Sequence, residues 1–163
     1  MKVVIVIGSA SDFDVVKGSL DMLKKFGVPF VLEVSSAHRT PERTVRLVKK
    51  WEKDGAEIFI SVAGKAAHLG GVIAAHTTRP VIGVPVGSAT LNGMDALLST
   101  VQMPRGVPVA CMGVGESGAV NAALLAVQIL ALQDGRLADQ LEKFRLDMAA
   151  EVEKSSEEVK AKI

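Results

Sequence analysis

Five short apolar runs punctuate the chain, at 3–7, 30–34, 58–62, 81–84 and 107–112. They are rich in Val and Ile and almost free of polar residues. A strand with one wet face would alternate instead, so these runs predict strands buried on both faces. Between the runs, apolar residues recur every three or four positions. Val15, Val16, Leu20, Leu23 and Phe26 predict a helix over 12–26, stopped by Gly27. Val45, Leu47, Val48 and Trp51 predict another over 41–53, ending at Gly55. Further helices are expected over 68–77, 94–101 and 119–133. A strand–helix alternation repeated five times implies an open parallel sheet between two helical layers, a three-layer α/β fold. For five strands the expected order is the flavodoxin-like 2-1-3-4-5.

Asp134-Gly135 interrupts this pattern. Beyond it, Leu137, Leu141, Phe144, Met148 and Val152 form a single helical stripe. That stripe would pack on its own domain or on a neighbouring subunit. The charged stretch 153–163 is expected to fray. The chain thus reads as one domain, 1–163, with an αβα core over 1–133 and a C-terminal helix and tail over 136–163.

Composition narrows the function. The chain has 19 basic and 18 acidic residues and no basic block, which argues against a nucleic-acid partner. Hydrophobic residues make up 48% of it, mostly small or aliphatic, more than one small monomer readily hides; oligomerisation is therefore expected. No apolar run is long enough to span a bilayer and no signal peptide is apparent, so a cytoplasmic protein is expected. The single Cys111 excludes an internal disulfide or a multi-cysteine metal site and reads as a small buried hydrophobe.

In the 2-1-3-4-5 order, the loops leaving strands one and three face a common cleft, with the loop after strand two alongside. All three carry chemistry. Gly8-Ser9-Ala10-Ser11-Asp12 offers hydroxyls and free N–H groups to an anion, with Asp12 as a helix cap or an acceptor for ribose hydroxyls. Ser36-Ala37-His38-Arg39-Thr40-Pro41 places a residue that titrates near neutrality beside a fixed cation, with Thr40 and Pro41 suited to open a helix. Ala63-Gly64-Lys65-Ala66-Ala67-His68-Leu69-Gly70-Gly71 combines small residues, which let a flat ligand approach, with a histidine near a helix start. Taken singly, each loop reads equally as capping or packing. Converging, they describe a site for a phosphorylated ribosyl heterocycle. His76, late in a predicted helix, reads as structural. A phosphoacceptor domain is disfavoured, because strand three ends in Val62-Ala63-Gly64 with no carboxylate. A flavin module is disfavoured by the absence of tyrosine and the position of the lone Trp51 within a helix.

These motifs, together with Gly83-Val84-Pro85-Val86, Val101-Gln102-Met103-Pro104 and Asn121-Ala122-Ala123-Leu124-Leu125-Ala126, occur in an order that resembles the 5-(carboxyamino)imidazole ribonucleotide mutase family over 3–132. The resemblance implies a flavodoxin-like fold and a homo-octamer. It implies no metal and no organic cofactor. The substrate would be a small ribonucleotide, whose carboxylate moves from the exocyclic nitrogen to the neighbouring ring carbon. A synthetase that forms the labile carbamate would be a functional partner. Direct carboxylation of the aminoimidazole ribonucleotide by carbon dioxide is the alternative activity. Residue by residue, the resemblance makes His38 the proton-transfer group. Ser9, Asp12 and Arg39, assisted by Ser11 and Ser36, would bind the ribose phosphate. Gly64, Ala66, His68 and Leu69 would line the ring and carboxylate pocket, completed by the 88–93 loop and the 102–106 turn, from the same chain or across a subunit interface. Two residues depart from the family pattern. Lys65 stands where a small residue is usual; it is expected to face solvent, the alternative being that it places a cation near the carboxylate. Gly70 stands where Pro is common and is expected to loosen a loop.

Overall fold

The structure, a computed structural model, describes residues 2–163. Five strands form one parallel sheet in the order β2-β1-β3-β4-β5: β1 (Val3–Ile7), β2 (Phe30–Val34), β3 (Ile58–Gly64), β4 (Val81–Val86) and β5 (Ala110–Cys111). Helices α1 (Phe13–Lys25), α2 (Pro41–Lys53), α3 (Leu69–Ala74), α4 (Met94–Val101) and α5 (Glu116–Ala131) follow the strands in turn and cover both faces. This is the expected fold. Every residue of β1 is buried, as a central strand covered above and below must be. One side of the sheet packs Val4, Val6 and Phe59 against Val48, Leu69 and Ile73, with Trp51 at the margin of that cluster. The indole N–H of Trp51 donates to Glu33 on β2 at 3.3 Å, and Arg43 pairs with the other oxygen of Glu33 at 3.0 Å.

The chain falls into two compact units, the residues up to Ala126 and Val127–Ile163. In the second, α6 (Gly135–Lys160) is capped by Asp134, whose carboxylate accepts the Leu137 N–H at 3.3 Å. The stretch expected to fray is helical through Lys160. Ion pairs at helical spacing, Lys154–Glu158 and Lys160–Glu157, support it despite full exposure. Of the apolar stripe, Leu137 is buried, whereas Met148 and Val152 are exposed.

Of the boundaries that differ from the sequence reading, three have a local reason. β5 is two residues long rather than six. It is an edge strand, and Pro108 within the expected run has no N–H for a ladder. β4 runs on through Pro85. The Pro85 carbonyl faces the β5 side, accepting from Gly115 N–H at 2.9 Å. A strand residue's N–H points to the same side as its carbonyl, so the N–H that proline lacks would lie beyond the Gly83–Cys111 pair that ends that ladder. α3 ends at Ala74 rather than running to 77, and the following turn closes through His76 N–H to Ile73 carbonyl.

Gly70 does not lie in a loop. It is buried in α3, and a Cβ there would stand 2.7 Å from Ser61 Oγ on β3. Its small size allows close approach of helix to sheet and does not loosen a turn.

Candidate functional site

The strand order reverses between β1 and β3, and the loops leaving β1, β2 and β3 open on one side of the sheet. They enclose a cleft of about 650 Å³. Ser9, Ser11, Asp12, Ser36, His38, Arg39, Gly64, Ala66 and Leu69 all line it. His68 joins them through a hydrogen bond to His38 rather than as a wall of the cleft.

Each loop is held by its own chemistry. After β1, Gly8 N–H extends the pairing to Val62 carbonyl at 2.9 Å, and residues Ala10–Asp12 form a single 3-10 turn. Ser9 caps this turn: its hydroxyl accepts from Ser11 N–H at 3.3 Å and from Ser11 Oγ at 2.9 Å. Asp12 sits at the cap position of α1, but its carboxylate makes no cap bond. It is left facing the cleft, where Ser11 Oγ approaches it at 3.4 Å. Burial raises the Asp12 carboxyl above its ordinary value, against the opposing effects of Ser9 backbone, Ser11 and the charge of Arg39.

After β2, Thr40 does not cap α2 with its side chain. Its hydroxyl turns back, accepting from Ser36 N–H at 3.0 Å and reaching Ser36 carbonyl at 3.1 Å. Beneath it, buried Ser35 bonds Thr44 at 2.8 Å through their hydroxyls. This serine–threonine set fixes the turn on which His38 and Arg39 stand. Arg39 N–H donates to Ser36 Oγ at 3.2 Å, and its guanidinium reaches Gly8 carbonyl at 3.4 Å, drawing the first two loops together. No carboxylate pairs with Arg39 among the described residues. Its charge remains available to an anion.

After β3, Lys65 has a left-handed backbone, φ 56°, an arrangement that costs a residue with a Cβ about 1 kcal/mol. The chain then turns through Ala66 to His68, which precedes α3. His38 Nε2 lies 2.9 Å from His68 Nδ1, and the ring centroids are 5.0 Å apart, edge to face. That separation holds one proton: one ring donates and the other accepts. Residues 30 positions apart in sequence thus share a proton at the end of the cleft.

The structure leaves other residues elsewhere. His76 donates from Nδ1 to Val72 carbonyl at 2.8 Å, a structural bond within its own helix turn. Cys111 is partly buried rather than fully so, and burial raises its thiol above the ordinary value. Ser88 of the 88–93 loop lines the cleft; the 102–106 turn of the same chain lies by α3, where Met103 sulfur approaches Gly71. Ala37, Ala63 and Val86, which lie within the motifs but are not among the expected site residues, also line the cleft, as does Gly87. Val86 was findable, because β4 neighbours β3 in this order and Gly64 pairs with Val86. Among the described residues no three His, Cys, Asp or Glu side chains gather closely enough to hold a metal ion.

The class is thus a flavodoxin-like α/β protein whose cleft, at the reversal of strand order, unites an unpaired arginine with two proton-sharing imidazoles. Residues 2–151 match the family model of AIR carboxylase, and the chain belongs to that family. Proteins named N5-carboxyaminoimidazole ribonucleotide mutase are similar over nearly their full length. That of Saccharolobus solfataricus is 49% identical over 93% of this chain and 94% of its own. That of Bacillus subtilis is 48% identical over 95% and 96%, and that of Escherichia coli is 47% identical over 93% and 89%. Among solved structures, Treponema denticola PurE superposes with a TM-score of 0.85 at 30% identity, covering 93% of this chain and 94% of that one.

Proposed function

We infer that this protein is an N5-carboxyaminoimidazole ribonucleotide mutase, moving a carboxylate from the exocyclic nitrogen to the adjacent ring carbon in purine biosynthesis. Its kinship with relatives of that name, near half identical over nearly their whole length, favours this activity over direct carboxylation by carbon dioxide. The observation that carries the site assignment is the His38–His68 bond beside the unpaired Arg39.

The chemistry follows from those groups. A proton delivered to the carbamate nitrogen breaks its N–C bond and releases carbon dioxide. The electron-rich ring carbon attacks that carbon dioxide and forms the new C–C bond. Loss of the ring proton restores aromaticity, so one proton enters and one leaves. His38 serves as the acid and then as the base. With Nε2 engaged by His68, Nδ1 is its free nitrogen, and His68 holds the ring in place. Arg39 grips the phosphate, helped by Ser9, Ser11 and Ser36, while Asp12 accepts from ribose hydroxyls. Gly64, Ala66 and Leu69 form a wall of small and apolar groups that confines carbon dioxide beside the ring.

A homo-octamer is the assembly proposed. Helix α4 supports association, since Met94, Leu98 and Val101 are 54%, 50% and 48% exposed on one short helix. A cytoplasmic location and supply by a carbamate-forming synthetase complete the proposal; no helix among the described residues is long and apolar enough to cross a membrane. The test offers the purified protein the carbamate ribonucleotide, and separately the aminoimidazole ribonucleotide with bicarbonate. Rapid conversion of the first alone supports the mutase; conversion of the second alone refutes it.

A further inference from the structure

Lys65 is distinctive in three independent respects. It is one of two non-glycine residues with a left-handed backbone among those described. Its ammonium has no ion pair or hydrogen bond there, although it is exposed. And it lines the cleft, three residues before His68 on the same loop. A glycine takes this backbone conformation without strain, so local folding gives no reason for a lysine.

We propose that Lys65 is a specificity-determining residue that recognises the migrating carboxylate. The proposal rests on the mutase reading. Such a ligand has two anionic ends, a phosphate and a carboxylate, separated by a ribose and a ring. Arg39 and the serines of the first two loops take the phosphate. Lys65 is the cation on the third loop, between Gly64 and Ala66 of the wall that confines the ring and its carboxylate. Asp12 is the one acid lining the cleft and does not pair with Lys65, so the ammonium has no internal competitor. Carbon dioxide is neutral. An ammonium at this point therefore favours both carboxylated ribonucleotides and not the decarboxylated aminoimidazole between them. Such binding is nearly uniform for substrate and product, so it lowers KM more than it raises kcat.

Calorimetry with 4-carboxy-5-aminoimidazole ribonucleotide and with 5-aminoimidazole ribonucleotide, on the wild type and on Lys65→Met, Lys65→Arg and Lys65→Gly, tests this. The Met variant should bind the carboxylated ligand about tenfold more weakly, the scale of a partly exposed charged contact, with the decarboxylated ligand unaffected. KM should rise with little change in kcat. The Arg variant should keep most of the affinity, and the Gly variant should behave as the Met variant while melting at a higher temperature. Equal weakening for both ligands in the Met variant, no weakening for either, or failure of arginine to restore binding would overturn the proposal. Failure of the mutase reading would be seen separately, in a wild type that binds neither ribonucleotide and does not isomerise the carbamate.

Discussion

Placing a methyl group on Gly70 tests how α3 is seated on the sheet beneath the cleft. The added Cβ would lie 2.7 Å from Ser61 Oγ and 3.5 Å from Val109 Cγ1. The second is an ordinary contact; the first is not. Ser61 is buried and its hydroxyl reaches Ile82 carbonyl at 3.5 Å. Relief comes most readily by rotating Oγ away, which leaves a buried hydroxyl without that partner, at about 1–3 kcal/mol. Against this, removing glycine from a helix returns about 0.5–1 kcal/mol. Gly70→Ala should therefore destabilise by up to about 2.5 kcal/mol. In a Ser61→Ala background the obstructing oxygen is gone, and the same substitution should stabilise by up to about 1 kcal/mol. Urea unfolding of the four proteins at one fixed concentration reads both effects, and each kcal/mol also moves Tm by about 2–4 °C in a domain of this size. The two sites should couple by about 1–3 kcal/mol. An equal change in both backgrounds, or stabilisation of the wild type, would refute the close-approach argument.

Three further outcomes are expected. Burial raises the Asp12 carboxyl above 3.8, so its contribution to stability is full below that pH and is lost as pH rises through the folded-state value. Asp12→Asn should accordingly raise Tm at pH 7, with the gain vanishing below about pH 4, while weakening ribonucleotide binding; a gain that persists in acid would contradict the burial assignment. His38→Asn should retain ligand affinity within a few-fold and lose about 10²–10⁴ in kcat, read by titration alongside steady-state rates. A near-normal rate removes His38 from the proton path. Arg39→Ala should weaken binding of any 5′-phosphorylated ligand by about 10–100-fold with little change in the unfolding midpoint, because its hydrogen bonds in the free protein are long and exposed. Unchanged affinity would reassign the phosphate.

The centre of the sheet was legible because β1, β3 and β4 are largely buried, whereas the outer strands β2 and β5 are half-buried or exposed and not covered on both faces as their apolar runs suggest. β1 and α2 coincide with the sequence reading end to end, since unbroken Val and Ile runs and a Pro at the first helical turn admit few alternatives. The edge was less legible. Apolarity over 107–112 suggests a buried six-residue strand, yet none of these residues is buried, and Pro108 has no N–H to offer a ladder. At the site, residue types could be nominated and their bonds could not. Thr40 was recognised as a helix boundary, yet its hydroxyl serves the loop behind it and not the helix ahead. Gly70 was misread because a close approach between elements is a property of two segments at once, and Ser61 lies nine residues upstream with no local sign of it. The His38–His68 contact likewise depends on strand order, which a single sequence does not contain.

Trp51 gives the protein a native optical reporter. With one tryptophan and no tyrosine, its near-ultraviolet emission originates at a single point. That point lies on α2, tied to β2 through Glu33 and with the Lys50 ammonium 3.5 Å from its ring centre. The same helix opens directly after the turn bearing His38 and Arg39. Rearrangement of that turn can therefore be followed by fluorescence without attaching a dye, on a chain whose chemistry has not been altered to make it visible.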